Sequence, residues 1–140
     1  MTAGRGAADP ADERPPVAVV DISTVTPIAD RGGSIRVIVT PGAVGARHHI
    51  FGQAVLAAGE RINEHIHDYG EESVFVVSGA GSMTADDVEY ELLPGRLIFC
   101  PRGTRHAIHN DRSEELVMIF ASAPLAPSPG AGHRELKTER

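Results

Sequence analysis

The chain is poor in several residue types that larger or extended proteins depend on. Its 140 residues include no tryptophan, one cysteine, one lysine and six Phe or Tyr. A single cysteine, Cys100, permits no internal disulfide, which excludes a disulfide-stapled secreted module and fits a reducing cytoplasm. Apolar runs such as those at 17–20, 74–77 and 116–121 fall far short of the ~20 residues needed to span a bilayer. Residues 1–16 lack the apolar core of a signal peptide, so a cytoplasmic protein with no membrane contact is expected. Positive charge is also scarce: 13 Lys and Arg stand against 19 Asp and Glu, a net charge of −6. Residues 17–121 hold eight Arg, fourteen acids and no Lys. Such a body repels nucleic acid. The lone lysine, Lys137, lies near the C-terminus.

Histidine, glycine and proline are the residues in good supply. Seven histidines outnumber the aromatics, and 15 Gly with 10 Pro leave little uninterrupted sequence for long helices. Residues 1–16 and 122–140 are small, polar and Pro-containing, and are expected to be flexible arms around a domain at 17–121. Inside that domain, apolar alternation between turn signals predicts strands at 17–23, 34–40, 48–57, 62–67, 72–78, 82–85, 88–92, 97–100, 105–110 and 115–121. Many short strands in one small domain predict an all-β sandwich or barrel.

The pair His65-Ile-His67 stands out. On a strand, residues i and i+2 share a face about 6.5–7 Å apart, so two imidazoles can converge on one cation. Alone, such a pair is more often two ordinary histidines. Here Glu72 follows at short range, and His106 follows the turn Pro101-Arg-Gly103. Three imidazoles and a carboxylate suit Zn, Fe, Mn or Ni. The glycines and proline around them supply turns, and Asn110 can close a strand end through side-chain hydrogen bonds.

Written out, the pattern is Gly59-x5-His65-x-His67-x4-Glu72-x6-Gly79, then Gly95-x5-Pro101-x-Gly103-x2-His106-x3-Asn110. It resembles the two-motif signature of the cupin superfamily with all fixed positions filled, which implies a single cupin β-barrel or jelly roll. The spacing to Gly79 selects Glu72 over Glu71. The stretches at 31–46, 64–72 and 124–133 are further similar to small cupins of aromatic polyketide gene clusters, the tetracenomycin- and resistomycin-type cyclases. Ala58 departs from the proline common before Gly59. His48, His49 and His109 are additional to the motif, and any of them could join or replace Glu72.

The resemblance implies metal-dependent, intramolecular aldol-type closure of a poly-β-ketone in antibiotic biosynthesis. The substrate would ride on an acyl carrier protein, with other polyketide synthase components nearby. An aldol catalyst activates its carbonyl through a lysine Schiff base or a metal. With no lysine at 17–121, the metal route is expected. His65, His67, Glu72 and His106 would then act through the metal and its bound water. Zinc is the expected ion because no electron transfer is needed; Fe, Mn and Ni are the alternatives. Strand parity proposes Ile50, Gly52, Ala54, Leu56, Phe75, Val77, Ile98 and Ile108 as cavity walls, with Gln53 and Tyr69 as polar neighbours of the metal. The substrate contacts chosen from these are Gln53, Tyr69, Phe75 and Ile108. Alternation turns Arg105 and His109 outward, while Cys100 is expected in the core and His133 in solvent. A homodimer is expected because small barrels cover their edge strands by pairing. Two other readings stay open: a cupin dioxygenase acting on an aromatic or diketone, and a non-catalytic metabolite-binding cupin.

Overall fold

Alternating apolar and polar residues between tight turns produce ten strands among the described residues, and the turns explain where each strand stops. A computed structural model describes residues 13–136. The strands are β1 (Ser34–Val39), β2 (Ile50–Leu56), β3 (Arg61–Ile66), β4 (Glu71–Ser78), β5 (Gly81–Ala85), β6 (Val88–Leu92), β7 (Leu97–Cys100), β8 (His106–His109), β9 (Leu116–Ala123) and β10 (Arg134–Glu135). Gly79, after β4, shows why its position needs glycine. Its φ is +77°, and a Cβ there would lie 2.1 Å from the carbonyl oxygen of Glu115.

The strands form two antiparallel five-stranded sheets, ordered β1-β2-β9-β4-β7 and β10-β3-β8-β5-β6. Their inner faces enclose a core that includes Leu56, Val76, Met83, Leu92, Leu116 and Met118, all fully buried. Asn110, also fully buried, donates from Nδ2 to the carbonyls of Leu56 (2.9 Å) and Glu114 (2.7 Å). Its Oδ1 accepts from the backbone of Arg112 at 3.0 Å. One side chain thus ties the end of β8 to β2 and to the approach to β9.

Register matters most on β3. Ile62 pairs with Ile108 and His65 with His106, so three steps on β3 match two on β8. This bulge changes the pleat parity, and Ile62 and His65 both face inward although an odd number of residues separates them. Plain alternation from Ile62 would have buried Glu64 and Ile66 instead.

Three segments differ from the sequence expectation. No strand forms at 17–23: Val17 and Val19 are each 98% exposed, and Asp21 accepts from the backbone N (2.9 Å) and hydroxyl (2.6 Å) of Ser23, setting a 3-10 turn at Ile22–Thr24. A one-turn helix, α1 (Pro41–Val44), occupies what reads as turn sequence. Thr40 caps it by accepting from the backbone of Ala43 at 2.9 Å. The tail is docked: β9 runs on to Ala123, and β10 pairs with β3. Its backbone finds a ladder partner on an open sheet edge, which composition alone does not disclose. Of the N-terminal arm, residues 1–12 lie outside the described residues. Residues 13–16 are exposed, and Arg47 donates to the Glu13 carbonyl.

Candidate metal centre

The bulged β3, the start of β4 and the start of β8 bring four side chains together between the sheets. His65, His67, Glu72 and His106 each offer a ligand atom, and these atoms lie within 4.8 Å of one another. His65 is 4%, Glu72 8% and His106 1% exposed. Glu72 comes from one sheet, His65 and His106 from the other, and His67 lies just beyond the end of β3.

The tautomers follow from the hydrogen bonds. His65 Nδ1 is 2.7 Å from the Asn63 carbonyl, His67 Nδ1 2.7 Å from the Gly132 carbonyl and His106 Nδ1 2.9 Å from the Thr104 carbonyl. A carbonyl only accepts, so each Nδ1 carries a proton and each ring presents its Nε2 toward the centre. His67 Nε2 lies 3.1 Å from Glu72 Oε2, and His106 Nε2 lies 3.4 Å from Oε1. Both Nε2 atoms are buried without a hydrogen bond. Lone pairs that face a carboxylate at this range need a positive charge between them. Either a proton or a divalent cation satisfies the set, and imidazoles backed by carbonyls are the usual arrangement around a metal. These residues therefore fit a metal ion.

The pKa shifts express the same geometry. Burial and the nearby His106 push His65 down to about 3. Burial also opposes charge on His67, but the Glu72 carboxylate 3.1 Å from its Nε2 outweighs burial and raises that pKa. For Glu72, burial favours the neutral acid, yet His106 and His67 together hold the carboxyl far below its ordinary value. Cys100 is buried, with Sγ 3.9 Å from Met83 Sδ, and burial and the charge of Glu72 push its thiol up to about 11. That thiol is a core group and no nucleophile.

Three of the four, His65, His67 and Glu72, line an apolar cavity walled by Ile35, Val37, Ile50, Ala54, Ile62, Val74, Ile108, Met118 and Phe120, with Arg31 and His133 as further polar members. Ile50, Ala54 and Ile108 line it as parity proposes. Gln53 and Phe75 do not: each has the opposite parity to the buried residues of its strand and lies on the outer face of its sheet. Val77 is likewise outward and 49% exposed. Tyr69 sits in the turn before β4, 42% exposed and away from the cavity lining. His48 and His49 are exposed ahead of β2. Arg105 is paired with Asp87 at 2.5 Å and Glu64 at 3.7 Å, and His109 lines a separate surface depression. None of these histidines joins the cluster.

His133 corrects the expectation of a solvated tail. Its ring stacks on His65, with centroids 4.3 Å apart and planes at 19°, and its Nε2 is buried without a partner. Burial and the charge of Arg31 push it down to about 4. Arg31 and His133 both lie inside stretches that carry the family resemblance, which was the one sequence signal available for them.

Two apposed antiparallel sheets with imidazoles from one and a carboxylate from the other are the architecture of a metal-site jelly roll. The chain belongs to the cupin family: the Cupin domain model matches residues 52–122. Protein SchB of Streptomyces halstedii is 40% identical over 82% of this chain and 83% of its own length. Polyketide synthase CurC of Streptomyces cyaneus is also 40% identical, over 82% and 75%. Tetracenomycin polyketide synthase protein TcmJ of Streptomyces glaucescens is 34% identical, over 83% and 78%. Among solved structures, the polyketide cyclase RemF from Streptomyces resistomycificus superposes with a TM-score of 0.68 over 88% of this chain and 87% of its own. At 18% identity that likeness speaks for the fold alone.

Proposed function

We propose that this chain catalyses aldol-type ring closure in a poly-β-ketone during aromatic polyketide assembly, with zinc held by His65, His67, Glu72 and His106. The observation that carries this reading is a metal-ligand cluster adjoining an apolar cavity. It occurs in a chain with relatives named polyketide synthase CurC and tetracenomycin polyketide synthase protein TcmJ, and RemF, of the same fold, is named a polyketide cyclase.

When bound, the ion supplies Lewis acidity toward a β-dicarbonyl oxygen, and zinc does so without electron transfer. The protein's part is positioning and exclusion. Carbonyl-tethered imidazoles cannot swing away from the centre. Glu72 supplies the balancing negative charge. Ile35, Val74, Ile108 and Phe120 exclude water from a reactive enolate. Arg31 places positive charge on the same cavity, where an enolate or acyl oxygen would be held. No lysine occurs among the described residues, which leaves a Schiff-base route without its amine.

The substrate is proposed to arrive on an acyl carrier protein, for which the exposed Arg102 offers a local positive contact on an acidic body. The outer face of the β1-β2-β9-β4-β7 sheet supports a homodimer. There Val77, Leu97 and Phe99 are 49%, 58% and 52% exposed beside the edge strand β7. No helix among the described residues is long and apolar enough to cross a membrane, and we place the reaction in the cytoplasm.

His67→Ala and His106→Ala test the proposal. Each should lose bound zinc, read by elemental analysis, and reduce ring closure of a carrier-bound poly-β-ketone about 100-fold or more, read by mass spectrometry of products. Cyclisation that persists in a metal-free variant would rule out the metal-dependent mechanism. Stoichiometric oxygen uptake would replace it with an oxygenase.

A further inference from the structure

Most of the centre is held by local contacts. His65 and His106 each use a carbonyl two residues upstream, from Asn63 and Thr104. His67 is different, because its Nδ1 partner is the carbonyl of Gly132, 65 residues later. The same short segment brings His133 onto the face of His65 and into the cavity lining. Two of the three imidazoles are therefore also backed by chain from beyond β9.

This segment is fastened at several points. Ser128 caps the 3-10 turn Pro129–Gly132. Arg134 pairs in register with Ile66, and Glu135 with His65. The backbone N of Leu136 donates to the Glu64 carbonyl at 2.9 Å. Arg134 forks onto Asp68, with Nε 2.9 Å from Oδ2 and NH2 3.0 Å from Oδ1. Asp68 directly follows His67, so the ion pair clamps the strap at the residue next to the ligand.

We propose that residues 128–136 are a working part of the metal centre, a strap whose Gly132 carbonyl holds His67 in its metal-binding tautomer and whose His133 closes the cavity over His65. This rests on the assignment of the four metal ligands and is independent of the polyketide reaction. If docking orients a ligand, docking and metal binding share a coupling free energy, and each must strengthen the other. A strap that only stabilised the fold would show no such reciprocity.

The test reads zinc affinity by competition with a chromophoric chelator and amide hydrogen exchange on the full-length protein. Saturating zinc should slow exchange across 132–136. His133→Pro fixes φ at that position and displaces the preceding carbonyl. It should weaken zinc binding about 10- to 100-fold, the range for lost support behind a metal ligand. Arg134→Ala removes an exposed ion pair and should cost roughly two- to five-fold. The charge-swapped D68R/R134D protein should recover most of that loss, which a nonspecific surface effect would not do. His133→Ala keeps the carbonyl and should weaken binding less than His133→Pro. Unchanged exchange at 132–136 on zinc saturation, or full zinc affinity in His133→Pro, would overturn the strap. A wild-type chain that binds no zinc would overturn the ligand assignment itself.

Discussion

At the residue scale, the imidazoles respond to two opposed forces. Burial disfavours their charge, while Glu72 favours it on its nearest neighbour. His65 and His133 follow the first force, with pKa values pushed down to about 3 and about 4, and His67 follows the second. The sign of the pH effect follows. An unfolded chain protonates its histidines near pH 6.5, whereas folded His65 and His133 stay neutral until far more acid conditions, so the unfolded state binds more protons in between. Stability from these two is present above pH 6.5 and lost as pH falls toward 4. His67, with its raised pKa, contributes oppositely: its share is full below 6.5 and lost as pH rises through its folded value. Glu72 joins the acid-labile side below its ordinary pKa of 4.5. Below pH 6.5 the His67 share is already full, so chelator-treated protein should show urea midpoints that fall steadily from pH 6.5 to pH 5. A flat or rising series over that range would contradict these environments.

At the element scale, turns and bulges decide which face each side chain meets. Gly79 returns the chain from β4 against the Glu115 carbonyl at a positive φ. Gly79→Ala combines left-handed backbone strain with a steric clash, and should cost about 2–4 kcal/mol in denaturant unfolding. Gly95, also at positive φ, has open space around its Cβ position. Gly95→Ala should therefore cost only the backbone part, about 1–2 kcal/mol. Equal losses for the two would show that the contact with Glu115 is relaxed easily. The β3 bulge acts at the same scale, because it alone places His65 on the same face as Ile62.

At the scale of the whole molecule, the outer face of one sheet bears on assembly. The β1-β2-β9-β4-β7 sheet is apolar on both faces near its β7 edge, where Leu97 pairs with Phe75, and Phe99 with Ser73. Burying such a face against a second copy would remove apolar area from water and cover an edge strand. Leu97→Glu with Phe99→Lys should shift the protein from dimer to monomer in light scattering while leaving bound zinc unchanged, since both side chains point away from the ligands. A wild-type protein that is already monomeric at micromolar concentration would remove the proposed dimer.

Much of the site was legible in the sequence because its constraints are local. Turn glycines, a strand pair of histidines and fixed spacings to Glu72 and His106 are one-dimensional signals with direct steric causes. Phe75 does not share the parity of Glu72 on β4, nor Gln53 that of Gly52 and Ala54 on β2, so both side chains face outward. Tertiary structure decided the rest. The bulge that turns His65 inward exists only through pairing with β8, and the tail becomes a strand only because β3 leaves an edge open. The motif thus determined which atoms can bind a metal, while the packing of distant chain determined how they are held, because a hydrogen bond across 65 residues leaves no periodic trace in sequence.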